Sequence, residues 1–248
     1  MLCHCSGLTQ QKTYGLIATF QSDKIKESSG IVASHFHEGV FWTHNDSGNT
    51  PYLYAIKADG TLIKNFRVSG GSCVDWEDIA MDNKGNIYIA DVGDNFEIRF
   101  EHRIHKIEEP KNLEAVDNLK VIETIDVHYH EGACNCEALC LNSKNQLMLI
   151  TKSTQLTRVY LYDGTTWREH QTLDIKGCVT ASDINDHGEL ALLTYQGIYI
   201  FIENSKGEWQ EKKYIPAQVG QQSEAICWSQ GDLIVTNEQT QIYRINPR

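Results

Sequence analysis

The sequence predicts an all-β protein, a five-bladed β-propeller closed by a strand from the start of the chain. Three observations predict it. A short motif, an acidic or small residue, then Ala, Asp or Gly, then Ile or Leu, recurs five times, anchored at Ile31, Ile79, Leu139, Ile184 and Ile226. The spacings of 48, 60, 45 and 42 residues between these anchors suit one four-stranded blade per repeat. Helical periodicity is nearly absent, and the same succession of strand signals follows every anchor.

Each repeat is justified strand by strand. The anchor lies in a first strand, and a polar turn such as "HEG", "NKG" or "DHG" leads to a second, at 40–43, 86–90, 147–151, 190–194 and 232–236. A third strand carries aromatic residues ("YLYAIK", "RVYLY", "GIYIFI", "QIYRI"), and a fourth, more polar one closes four of the five units. The fifth unit stops at Arg248 without it. The β-rich "TYGLIATF", from Thr13 to Phe20, precedes the first anchor with no unit of its own. Pairing it with the last unit leaves no sheet edge exposed. A six-bladed alternative needs a degenerate blade between about 95 and 120, where a loop excursion is expected instead. A sandwich or jelly roll gives no reason for Glu-Ala-Leu and Glu-Ala-Ile to recur at blade length.

With 248 residues, 4 prolines and no Gly/Ser tract, the chain reads as one domain, 13–248, behind a flexible segment, 1–12. The start, "MLCHCSG", is no secretory signal as written, but the leucine three residues before Cys5 resembles the tail of a lipoprotein signal. An extracytoplasmic monomer is therefore expected, with the cytoplasm as the alternative. No apolar stretch is long enough for a transmembrane segment. The 22 basic and 33 acidic side chains give a net charge of −11, and scattered Lys and Arg residues offer no stripe for nucleic acid. Cys134, Cys136 and Cys140 form C-x-C-x3-C, which lacks the paired spacing of a zinc ribbon. Cys140 and Cys227 fall at matching strand positions and read as small buried hydrophobes.

In an antiparallel blade the start of the first strand and the end of the second share one face. Two residues before the anchors stand Glu77, Glu137 and Glu224, with Ser29 and Ser182 in the other units; Glu27 and Asp75 lie at −4, Asp78 and Asp183 at −1. After the second strands come Asn45 and Asp46, then Asp91, Asp94 and Asn95, then Lys152, then Asn237 and Glu238. All are expected at one mouth of the channel. Singly, Asp46 and Asp94 read first as turn formers, and a carboxylate at −2 as a brace for the neighbouring blade. Together they repel unless a cation compensates. Calcium is the expected cofactor, held by Asp46, Asp75, Glu77, Asp91, Asp94, Glu137 and Glu224. His35, His37 and the "HYH" pair His128 and His130 offer a second, zinc- or copper-like possibility.

Four ordered motifs, "WTHNDSG", "DWEDIA", "IADVGDN" and "IHKIEEP", resemble those of a group of bacterial propellers, across residues 27 to 110. More broadly the chain resembles calcium-dependent propellers of the gluconolactonase, paraoxonase and phytase-like kind. The resemblance implies a cation in the central channel held by Glu, Asn and Asp.

Two functions follow. The first is hydrolysis of esters, lactones or phosphoesters, with Glu77 or Asp94 as general base, His44 as proton shuttle and Lys152 steadying negative charge. The second is a non-catalytic module that binds a small molecule, glycan or protein through Asn45, Trp76, Asn95 and Asn237, with Trp42 and Trp228 available for stacking.

Overall fold

A computed structural model describes residues 14–129, 132, 134–217, 219 and 222–248; the segment 1–12 and His130 lie outside them. Twenty strands and a single 3-10 turn, Leu113–Ala115, make up the secondary structure of the described residues. They build five antiparallel meanders. The first is β2 (Ser28–Ala33), β3 (Val40–Asn45), β4 (Tyr52–Lys57) and β5 (Leu62–Ser69); the second is β6 (Trp76–Met81), β7 (Asn86–Asp91), β8 (His102–Glu108) and β9 (Asn118–Val127). The third runs β10 (Cys136–Leu141), β11 (Leu147–Thr151), β12 (Thr157–Tyr162), β13 (Trp167–Leu173), and the fourth β14 (Val179–Ile184), β15 (Glu189–Thr194), β16 (Gly197–Glu203), β17 (Trp209–Pro216). The last combines β18 (Ser223–Ser229), β19 (Asp232–Asn237) and β20 (Gln241–Ile245) with β1 (Tyr14–Thr19) from the other end of the sequence.

These meanders fall into four hydrogen-bonded sheets, because β5 and β9 pair in parallel over Arg67–Ser69 and Asn118–Lys120 and join the first two edge to edge. Residues 95–120 hold a loop, β8, the 3-10 turn and the start of β9, with no separate sheet. The innermost strands pack in sequence, β2 on β6, β6 on β10, β10 on β14, β14 on β18, and β18 back on β2. This is the arrangement of a β-propeller.

Five apolar clusters hold it together, each shared by two neighbouring meanders. Trp42, Phe66 and Trp76, all but fully buried, fill the seam between the first two. The buried thiols of Cys140 and Cys227 pack in two other seams. Gly30 lets β2 approach β6, since a Cβ there would lie 2.5 Å from His44 Nε2 and 2.9 Å from the Ile79 amide.

Every inner pair carries a bulge at one point, at Ser29, Glu77, Glu137, Thr180 and Glu224. A bulge re-aims the extra side chain. The register also corrects the fourth anchor: Ser182, not Ile184, is equivalent to Ile79, so the residue two before it is Thr180. A slip of two residues preserves the side-chain face, which is why the pattern alone did not reveal it. Bracing between inner strands falls to the residue after the bulge in β6 and to a later one in β14. Asp78 accepts from the amides of Leu139 (2.9 Å) and Ser182 (3.2 Å), and Asp183 from that of Trp228 (2.7 Å). The carboxylates at −2 stay clear of that task.

Candidate functional site

A cavity of about 210 Å3 opens at one mouth of the ring. Two sets of equivalent positions line it. The bulges contribute Ser29, Glu77, Glu137 and Glu224, and the residues directly after the second strands contribute Asp46, Lys152, Tyr195 and Glu238. Asn95 and Gln222 complete the wall. Gln222 holds a left-handed backbone (φ 52°), an uncommon conformation for a residue with a side chain.

The cavity is electrostatically divided. On one side Lys152 Nζ lies 2.8 Å from Glu137 Oε2, and Tyr195 donates to Glu224 Oε1 at 2.8 Å. On the other, oxygens of Asp46, Asp75 and Glu77 lie within 4.8 Å of one another. Gly93 makes this convergence possible, because a Cβ there would collide with Glu77 Oε1 and the Asp75 carboxylate.

Burial and mutual repulsion govern the protons. Burial, then Asp46, raises Asp75 to about 6; burial, then Glu137, Asp46 and Asp75, raises Glu77 well above the usual carboxylate range. Burial, then Glu137 and Glu238, carries Glu224 to about 7 against its bond from Tyr195 and the charge of Lys152. Burial opposes the charge on Lys152, but Glu137 outweighs it and holds the ammonium above its ordinary value.

The remaining sequence-predicted residues are engaged elsewhere. Asp91 frames the loop that leads into Asp75: it accepts from Ser72 Oγ (2.6 Å) and the Asp75 amide (2.9 Å), and pairs with Arg99 at 2.9 Å. Asp94 accepts from the amides of Ile98 and Arg99, both at 2.9 Å. Asp91 ends β7 and Asp94 lies in the loop after it, and neither lines the cavity. His44 is fully buried beneath Trp76, its Nδ1 3.0 Å from the Asn45 carbonyl, and burial lowers it to about 4. It does not line the cavity.

Asn45 Oδ1 accepts from the Lys26 amide at 2.9 Å, and Asn237 Nδ2 donates to Gln241 Oε1 at 2.9 Å. Trp76 is buried, its indole N–H bound to the Ser72 carbonyl at 3.0 Å; Trp42 bonds Glu109 at 2.7 Å, and Trp228 is buried too. No tryptophan is left to stack on a sugar. His35 and His37 lie in the β2–β3 turn at the far end of the strands, His37 on the Pro110 carbonyl at 2.8 Å.

Sequence reasoning passed over Tyr195 and Asn135. Tyr195 occupies the same position as Asp46 and Lys152, a signal available from the repeat itself. Asn135 joins three parts of the rim: it accepts from the Asp94 amide (2.8 Å) and donates to Asn95 (3.1 Å) and Glu137 (3.0 Å).

No protein-family model and no curated protein matches the chain. Solved structures do. A streptogramin B lyase superposes with a TM-score of 0.56 at 12% identity, covering 94% of this chain and 97% of that one. A luciferin-regenerating enzyme gives 0.54 at 14% identity over 92% and 79%, and a gluconolactonase from Xanthomonas campestris 0.52 at 14% over 88% and 71%. The likeness is one of fold.

Proposed function

We propose that the five meanders are the blades of a closed five-bladed ring, and that its mouth makes the protein a cation-dependent hydrolase of esters, lactones or phosphoesters. The observation that carries this reading is the convergence of Asp46, Asp75 and Glu77 at the wall of a cavity whose one lining ammonium, Lys152, already faces Glu137. Those three carboxylates would hold a hard divalent cation of the calcium class, which takes oxygen ligands. When bound, it supplies polarisation of a carbonyl or phosphoryl oxygen.

The chain's own groups do the rest. Glu224, near half-ionised at neutral pH, accepts a proton from the attacking water. Tyr195 orients that carboxylate through its 2.8 Å bond, and Lys152 steadies negative charge on the substrate. The gluconolactonase among the structural neighbours fits the same class of reaction. An extracytoplasmic monomer suits a site whose calcium affinity need only match that of extracellular modules.

Hydrolysis of p-nitrophenyl acetate, δ-valerolactone and p-nitrophenyl phosphate, assayed in calcium and again after EDTA, tests this. Activity on at least one substrate should vanish on chelation and return with calcium. Turnover indifferent to EDTA removes the cation from the reaction.

A further inference from the structure

The mouth cavity, at about 210 Å3, is smaller than the 300–1,000 Å3 usual for a site that encloses a small molecule. It has room for the reacting group and little more. A second cavity of about 510 Å3 lies beside it. The two share one loop: Asn95 lines the mouth, and Glu97, two residues on and at most ~7 Å away along the chain, lines the second cavity.

That loop is built to present apolar side chains. Phe96, Ile98 and Phe100 are 82%, 70% and 97% exposed. Single exposed hydrophobes need no explanation, but three alternating on one short loop do. The loop is also held rigid. Asp94 takes the amides of Ile98 and Arg99, while the Arg99 guanidinium reaches back to the Gly93 carbonyl (2.5 Å) and to Asp91 (2.9 Å).

Ile98 and Phe100 line the second cavity together with His102, Val127 and Tyr129. The His102 and Tyr129 rings meet edge to face at 5.5 Å, and the buried Tyr160 ring backs Tyr129 at 5.2 Å. His102, 4% exposed, sets its Nε2 3.3 Å from Asp94 Oδ2 and so ties β8 to the loop.

We propose that this second cavity is a specificity subsite that takes the aromatic arm of the substrate, packing it against Ile98, Phe100 and the Tyr129 ring. The proposal rests on the hydrolase reading above for its substrate class, aryl esters or aryl-substituted lactones. The cavity itself does not.

Two measurements separate them. 1-Naphthol, which cannot be hydrolysed, is titrated against the full chain in EDTA and followed by its fluorescence. Wild type should bind it saturably, and the I98S/F100S variant, altered only at exposed positions, should bind about tenfold more weakly, which corresponds to about 1.4 kcal/mol. Absence of saturable binding, or equal binding by both proteins, overturns the subsite. In calcium, kcat/KM for 1-naphthyl acetate should exceed that for ethyl acetate, and the variant should lose most of that preference while keeping its rate on ethyl acetate. Hydrolysis of both esters without preference overturns the subsite and leaves the hydrolase intact. Naphthol binding lost in the variant, with no ester hydrolysed in any divalent cation, supports the subsite and removes the hydrolase.

Discussion

At the scale of single residues, the site is a set of carboxylates whose environments force them apart in role. Glu77 shares its surroundings with Asp46 and Asp75, whereas Glu224 has a phenol for company. Replacing Glu77 with Gln should weaken calcium binding about 10- to 100-fold by isothermal titration, with the fold unchanged by circular dichroism. Gly93→Ala should weaken it in the same direction, because the added methyl occupies the space of both the Asp75 and Glu77 carboxylates. Glu224→Gln should instead keep calcium affinity and lower kcat/KM by about 10² to 10⁴. Loss of calcium binding in that variant would remove the division of labour. The acids two before the anchors were legible in the sequence because the bulge repeats with the blade. Asp91 and Asp94 were not separable from them, since a turn carboxylate and a ligand carboxylate look alike until the amides around them are placed.

At the scale of elements, the inner strands are stitched by side chains as well as by packing. Asp78 Oδ1 takes the Ile79 amide and Oδ2 those of Leu139 and Ser182, so one carboxylate touches three inner strands. Asp78→Ala strands those buried donors and should cost about 3 kcal/mol or more in urea unfolding. The second, third and fourth strands stood out in the sequence through aromatic and β-branched runs. The parallel contact of β5 with β9 did not, because three residue pairs between outer strands leave no periodic trace. The motifs "DWEDIA" and "IHKIEEP" turn out to include joinery: Asp78 braces the ring, and Glu109 binds Trp42, Ser34 and the amides of His35 and Phe36.

For the whole molecule, the crowded acids make stability depend on pH. A carboxylate whose folded pKa lies above its unfolded one keeps its proton longer in the native state. Its contribution is complete below the unfolded value, about 4 for Asp and Glu, and is lost as pH rises through the folded value, about 6 for Asp75 and about 7 for Glu224. Metal-free protein should therefore melt at a lower temperature at pH 8 than at pH 5, and calcium should restore more of the difference at pH 8. A melting temperature in EDTA that rises steadily from pH 5 to 8 would contradict this.

The pairing of β1 with β20 also sets an order of events during synthesis. Some 220 residues separate Thr19 from its partner Gln241, so at ribosomal rates the early strand waits about 10 to 45 s for it. Throughout that interval the four earlier meanders can assemble, but the circle stays open, with β1 a loose edge that invites pairing with another nascent chain. Two of its own apolar side chains, Leu16 and Ile17, remain 54% and 43% exposed even after closure. Final assembly is thus a late, long-range capture event, and yield during expression should be governed by how well β1 is shielded until its mate arrives.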